Sequence, residues 1–289
     1  MPMPTDIGII DLLLAVPNNP TSNFYDFIKP LLMDEQSRQM FQMPAQYMFK
    51  DLPDVGEQTD YVAYTVQQMD KYGIEKAMIG VDEDQYELHH RAVTEYPDRF
   101  IACYDCNPNR GMDEVRKIRR LKEKYDIKAV TAFPSGLCPQ VSLADKKWYP
   151  IFVTCIDLDI PFCPCVGVPG PRIPMEPQKV EHLDEICWFF PELKVVMRHG
   201  GEPWADLAWK LMLKYPNLYY MTSAFAPNHY PEEIIHFANT RGADKIMYAG
   251  YFPMGISLER SFRDLPNVPF KDDVWPKFLR QNAERVFKL

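Results

Sequence analysis

IIDLLLAVP (residues 9–17) begins in the first of eight short apolar runs bounded by turn residues, and the number of those runs decides the fold. They lie at 6–14, 76–81, 100–106, 127–133, 161–167, 194–199, 218–222 and 245–249. Between them helical periodicity recurs at 60–72, where Val62, Val66 and Met69 share a face, and at 113–125, 145–158, 178–190, 204–215 and 231–240. Strands that alternate with helices are parallel neighbours, because a tight hairpin cannot join parallel strands. Eight repeats, with no GxGxxG turn after the first strand, predict an α/β (β/α)8 TIM barrel rather than an open doubly wound sheet. No linker or low-complexity stretch divides the chain, so residues 1–289 read as one domain. In such barrels the working residues stand at the carboxyl ends of the strands.

One connection is too long to be bare. Residues 17–59, after the first strand, carry Phe24, Met33, Met40, Phe41, Met43, Tyr47, Met48 and Phe49. They are expected to form a helix or two. The segment reads equally as an apolar lid over the barrel mouth or as an oligomer contact or side cluster.

A net charge of −8 argues against nucleic acid or an anionic membrane as partner. The most basic stretch, DEVRKIRRLKEKY (residues 113–125), places Val115, Ile118, Leu121 and Tyr125 at helical spacing and its cations mostly on other faces, as a solvated helix does. No run of about 18 apolar residues and no leader pattern is present, and seven cysteines scattered through apolar segments fit reduced thiols. The expectation is a cytoplasmic protein. The apolar material in the insertion suggests a homodimer or higher homo-oligomer.

Several strand ends carry a resemblance. The IID start, CNPNRG (residues 106–111), KVVMRHGGEPW (194–204), GADKIMYAGYFP (242–253) and the closing QNAERVF (281–287) resemble the amidohydrolase superfamily over nearly the whole chain. The resemblance is to the branch of aminocarboxymuconate-semialdehyde decarboxylase, aromatic acid decarboxylases and pyrone dicarboxylate lactonase. It implies a divalent metal held by an HxH on the first strand, histidines after the fifth and sixth strands and an aspartate on the eighth. Here those positions hold Leu13, Ala15, Cys165, His199 and Tyr251. Leucine and alanine have no lone pair to give, so the resemblance implies a site without its usual metal, and no cofactor is expected.

The candidate catalytic residues are His199 as general acid or base, Tyr251 as donor to a developing oxyanion, and Asp11 and Asp105 as carboxylates at the barrel's working end. Asp11 is expected to face the barrel axis with Leu13. Candidate substrate contacts are Arg172 as a bidentate carboxylate clamp, Arg198, Glu202, Cys165 and Asp82. Strand alternation is expected to turn Arg198 away from the axis unless the strand has ended. Asp82 and Asp105 could equally cap the elements that follow them. Cys103, Cys106, Cys163 and Cys165 could build a displaced thiolate metal site or a cysteine nucleophile.

The leading expectation is a metal-independent enzyme that hydrolyses or decarboxylates a small carbonyl or carboxylate compound. The alternative is a catalytically inactive barrel that binds a hydrophobic acid or thioester.

Overall fold

The computed structural model describes residues 3–18, 21–39, 43–83 and 86–289, the side chains of 21–24 excepted. Met40, Phe41 and the Phe24 side chain therefore lie outside the described part. Eight parallel strands follow one another in sheet order: β1 Ile9–Asp11, β2 Ile74–Gly80, β3 Phe100–Asp105, β4 Ala129–Ala132, β5 Phe162–Pro164, β6 Val195–Met197, β7 Leu218–Met221 and β8 Ile246–Met247. The last meets the first. Leu12 N donates to Tyr248 O at 3.3 Å, Ala15 N donates to Phe252 O at 3.0 Å, and Leu14 bridges Phe252 in parallel. The expected TIM barrel is thus present as one domain.

Alternation along the strands separates two apolar layers. Ile10, Leu12, Met78, Ile101, Cys103, Ala129, Cys163, Val196, Tyr219, Met221, Met247 and Ala249 fill the barrel's interior, so the axis is a packed core. The opposite faces of the strands pack on the surrounding helices. Helix Tyr61–Lys71 begins where Asp60 accepts from Val62 N and Ala63 N, at 2.9 and 3.1 Å, and it buries Val62, Thr65 and Met69. In helix Met112–Tyr125 the expected stripe Val115, Ile118 and Leu121 is buried. Lys117 and Glu114 are buried with it: Lys117 pairs with Asp82 at 2.6 Å, and Glu114 accepts from Tyr104 and from Asn107 N, both at 2.7 Å.

Three helices were not among the six read from periodicity: Glu87–Glu95, Leu258–Asp264 and Asn282–Phe287. The last closes the barrel floor. Asn282 donates to Ala243 O and Ile246 O, at 2.7 and 2.9 Å, and Ala283, Val286 and Phe287 join the axial core from below. The closing QNAERVF is therefore a plug. Phe287→Ala is expected to cost about 3–5 kcal/mol, as other buried Phe truncations do. Urea unfolding should show a lowered midpoint, and an unchanged one would mean that the floor is not part of the core.

Candidate active site at the barrel mouth

The site is built on a failure of alternation at the end of β6. Val196 points to the axis, so Arg198 does as well, two residues on. This corrects the expectation that Arg198 faces away. His199 should then point outward, but its backbone is left-handed, with φ 62°, and so are Gly200 and Gly201 at 82° and 68°. That turn brings His199 to the mouth beside Arg198. Gly200 also admits the Phe225 ring, whose nearest atom would lie 2.4 Å from a Cβ placed there.

His199 is held at both ends of its residue by β7. Its N–H donates to Ser223 Oγ at 2.9 Å, and its Nδ1 lies 3.1 Å from the same oxygen. Its ring meets the edge of Tyr251, with centroids 5.6 Å apart. Burial pushes the imidazole down to about 3, and the neighbouring Arg198 charge pushes in the same direction. At neutral pH it is uncharged.

Asp105, at the end of β3, behaves in the opposite sense. Thr131 donates to its Oδ1 at 3.0 Å. Burial raises its carboxyl above the ordinary range, while Arg198 and Thr131 oppose that rise. It sits deep among barrel atoms yet keeps much of its surface accessible, and Leu13, Phe133, Arg198, His199 and Tyr251 keep part of theirs. These partly accessible surfaces lie at the carboxyl ends of the strands. Cys103, Cys163 and Cys165 stand close to Arg198 in the same region. Burial pushes the Cys103 and Cys165 thiols up to about 12 and raises Cys163 as well, so all three are protonated. All seven cysteines are free, and only Cys138 is exposed.

The insertion lies against the mouth. Phe49 packs on Tyr251 at 5.8 Å between centroids, and Phe27 meets Phe133 edge-on at 6.3 Å. The buried Tyr25 hydroxyl approaches that of Tyr251 without completing a hydrogen bond. Burial pushes the Tyr251 phenol up to about 12.

Four sequence candidates stand elsewhere. Asp11 is fully buried behind the barrel wall, not on the axis. Ile10 and Leu12 both meet the axial core, so alternation turns Asp11 between them toward Tyr248 and Tyr230 of the outer layer, and the bends at Leu12 and Leu13 bring Leu13 to the axial core as well. Arg172 is engaged by the insertion instead of a substrate: its Nη1 donates to Asp34 and Gln36, at 3.1 and 2.8 Å, and it stacks on Tyr47. Asp82 is neutralised by Lys117. Glu202 is exposed, and the charged neighbours that act on it are Glu233 and His229. Ser223, Tyr25 and Thr131 were missed. Ser223 had a signal, as the polar residue just beyond the seventh apolar run.

Among the described residues no group of three or more His, Cys, Asp or Glu side chains is placed to hold a metal ion. Nor does the donor chemistry suit one. Leu13 and Ala15 offer no lone pair, Cys165 and Tyr251 hold their protons, and a guanidinium stands among them.

A family model described as amidohydrolase matches residues 38–289. No curated protein matches the chain in sequence. Among solved structures, an uncharacterised TIM-barrel protein from Bordetella bronchiseptica is 21% identical with a TM-score of 0.72, over 97% of this chain and 98% of that one. A 5-carboxyvanillate decarboxylase from Sphingomonas paucimobilis is 15% identical at 0.70, over 98% and 100%. A 5-carboxyvanillate decarboxylase from Novosphingobium aromaticivorans, complexed with manganese and 4-hydroxy-3-methoxy-5-nitrobenzoic acid, is 20% identical at 0.66, over 98% and 97%.

Asp11 offers a test of the mouth's rear wall. Its Oδ1 accepts from Leu13 N at 3.0 Å and Gly250 N at 2.8 Å, while its Oδ2 is buried without a partner. Burial raises its pKa from 3.8 to about 7, against the pull of those two bonds. The folded state then binds more protons than the unfolded state between those values, so stability falls as pH rises through that window and levels off above it. Asp11→Asn keeps the acceptor and does not titrate. It should match wild type near pH 4 and exceed it at pH 8 in urea melts; parallel pH profiles would refute the assignment.

Proposed function

This chain belongs to the amidohydrolase family, and from that premise we propose that it decarboxylates a small aromatic or otherwise apolar carboxylic acid without a divalent metal. One observation carries the reading: at the ends of β3 and β6 the usual order of a carboxyl and an imidazole is reversed, Asp105 raised above its ordinary 3.8 and His199 pushed down to about 3. Such a reversal assigns acid to the first and base to the second. Protonated Asp105 delivers its proton to the carbon that bears the carboxylate. The bond to that carboxylate breaks, carbon dioxide leaves, and the electron pair of the bond returns to the carbon framework. Neutral His199, oriented by Ser223, takes the proton of a substrate hydroxyl and feeds charge toward that carbon. Solvent exchange then returns His199's proton and reloads Asp105, for a net uptake of one proton per acid consumed. Tyr251 donates a hydrogen bond to the developing oxyanion, and Phe49 and Tyr25 exclude water.

The names of the similar structures support the substrate class, since two of the three are decarboxylases of an aromatic acid. Hydrolysis of a carbonyl compound is the neighbouring chemistry, with His199 taking a proton from attacking water. A second reading, a non-catalytic binder of hydrophobic acids, is favoured by the side chains Leu13 and Ala15. Seven free cysteines favour a reducing cytosol. Exposed Trp188 and Phe189 favour self-association. Among the described residues no helix is long and apolar enough to cross a membrane.

The test is carbon dioxide release from a panel of hydroxybenzoates, with and without chelator. Activity should survive the chelator and fall by about 100-fold or more in Asp105→Asn and in His199→Ala. Activity that appears only on adding manganese would refute the metal-free reading, and a panel without turnover would favour the binder.

The pH dependence has a defined sign. Because Asp105 must be protonated and His199 neutral, kcat/KM should be level between their pKa values and fall as pH rises past that of Asp105. A metal-bound hydroxide would produce the opposite slope. A rate that rises with pH through neutrality would therefore exclude Asp105 as the acid.

A further inference from the structure

Among the described residues, Arg198 is a charged group of the mouth that has no companion. Its backbone N–H donates to Pro164 O at 2.9 Å, but among the described residues its guanidinium donates no hydrogen bond and forms no ion pair, and its Nε is fully enclosed and unpartnered. The groups nearest it electrostatically are Asp105 and the thiols of Cys103, Cys163 and Cys165. The thiols are uncharged, His199 is neutral, and Tyr251 keeps its proton. Asp105 and Arg198 act on each other's charge without forming an ion pair. A guanidinium has five donors in a planar fork, and a buried charge without a partner destabilises the fold that holds it. Such a group is explained when an absent ligand completes it.

We infer that Arg198 is the anchor for one carboxylate of the ligand, a fixed organic cation that seats a small monoanionic acid where the family resemblance places a divalent metal. This deepens the decarboxylase reading, because it names the group that holds the acid. The planar fork matches a carboxylate bidentately. One positive charge balances one negative charge and leaves a second without a partner, which disfavours dianions such as phosphate monoesters. The rings of Tyr251, Phe49 and Tyr25 above the seat suit an aromatic or apolar body. Arg172 is excluded as the anchor by its engagement with Asp34, Gln36 and Tyr47.

The experiment is isothermal titration of the full chain with benzoate and with its neutral isostere benzamide, on wild type, Arg198→Met, Arg198→Lys and the exposed-surface control Arg241→Met. Wild type and the control should prefer benzoate by about tenfold or more. Arg198→Met should lose that preference. Arg198→Lys, which keeps the charge without the fork, should bind benzoate more weakly than wild type and still prefer it to benzamide. Thermal melts keep the test sound: benzoate should raise the wild-type midpoint and leave that of Arg198→Met unmoved, while Arg198→Met without ligand should melt above ligand-free wild type because an unpaired buried charge has gone. Should the methionine variant fail to fold, the lysine variant carries the comparison.

Equal wild-type affinities for benzoate and benzamide would overturn the anchor, as would Arg198→Met binding benzoate as tightly as wild type, or no saturable binding of either benzoate or acetate at millimolar concentration. Benzoate binding through Arg198 without turnover of any acid would remove the decarboxylase and leave the anchor. Turnover unaffected in Arg198→Met would do the reverse.

Discussion

The arrangement of the mouth depends on a guanidinium, its Nε enclosed, that no described residue pairs. Arg198 reaches the axis by ordinary alternation from Val196, and its charge acts on the titratable groups around it. The three thiols around it remain protonated, because burial outweighs the attraction of a nearby cation. The same charge adds to burial in keeping His199 neutral and works against burial at Asp105. A single side chain therefore biases both groups assigned to proton transfer. A divalent ion at this place would do so more strongly, but the guanidinium has direction as well as charge, and its fork fixes the plane of whatever it binds.

The second dependence is the broken rhythm at two strand ends. In β6 the left-handed residues His199, Gly200 and Gly201 allow two consecutive side chains to face the mouth, which no regular strand permits. In β1 the bends at Leu12 and Leu13 bring Leu13 to the axial core beside Leu12, while Asp11, between axial Ile10 and Leu12, turns behind the wall to accept from Gly250 N across the seam with β8. That seam is where the barrel closes. A carboxyl that stays protonated up to about neutrality serves closure better than an ionised one, since its second oxygen has no hydrogen-bond donor to meet it.

These two breaks also mark how far the sequence could be read. The barrel was legible because its signals are cumulative: eight apolar runs and six amphipathic stretches agree, and no single residue decides the outcome. Helix Glu87–Glu95 was not legible, because it is only nine residues long and its fully buried residues are a histidine and an alanine, His89 and Ala92, which do not read as an apolar stripe. His199 could be found from its place beyond the sixth run. The orientations of Arg198 and Asp11 could not, because the period of two was counted from His199 and Leu13, which reach the mouth only through the breaks, and not from Val196 and Leu12. Arg172 was misplaced for another reason: a long loop has no periodicity to extrapolate, and its partners Asp34 and Gln36 are more than 130 residues away in sequence.

The insertion completes the argument, since burial is the first cause of both pKa displacements at the mouth. Tyr25, Phe27 and Phe49 reach it from a segment that, as sequence, read equally well as a side cluster. Their contacts with Tyr251 and Phe133 bring them against residues of the mouth, where excluding water strengthens each charge interaction. Water that reached Asp105 and His199 would relieve the burial that displaces both and return each toward its ordinary value, the carboxyl below the imidazole. The acid and base roles assigned to the strand ends therefore depend on how far that segment keeps water out.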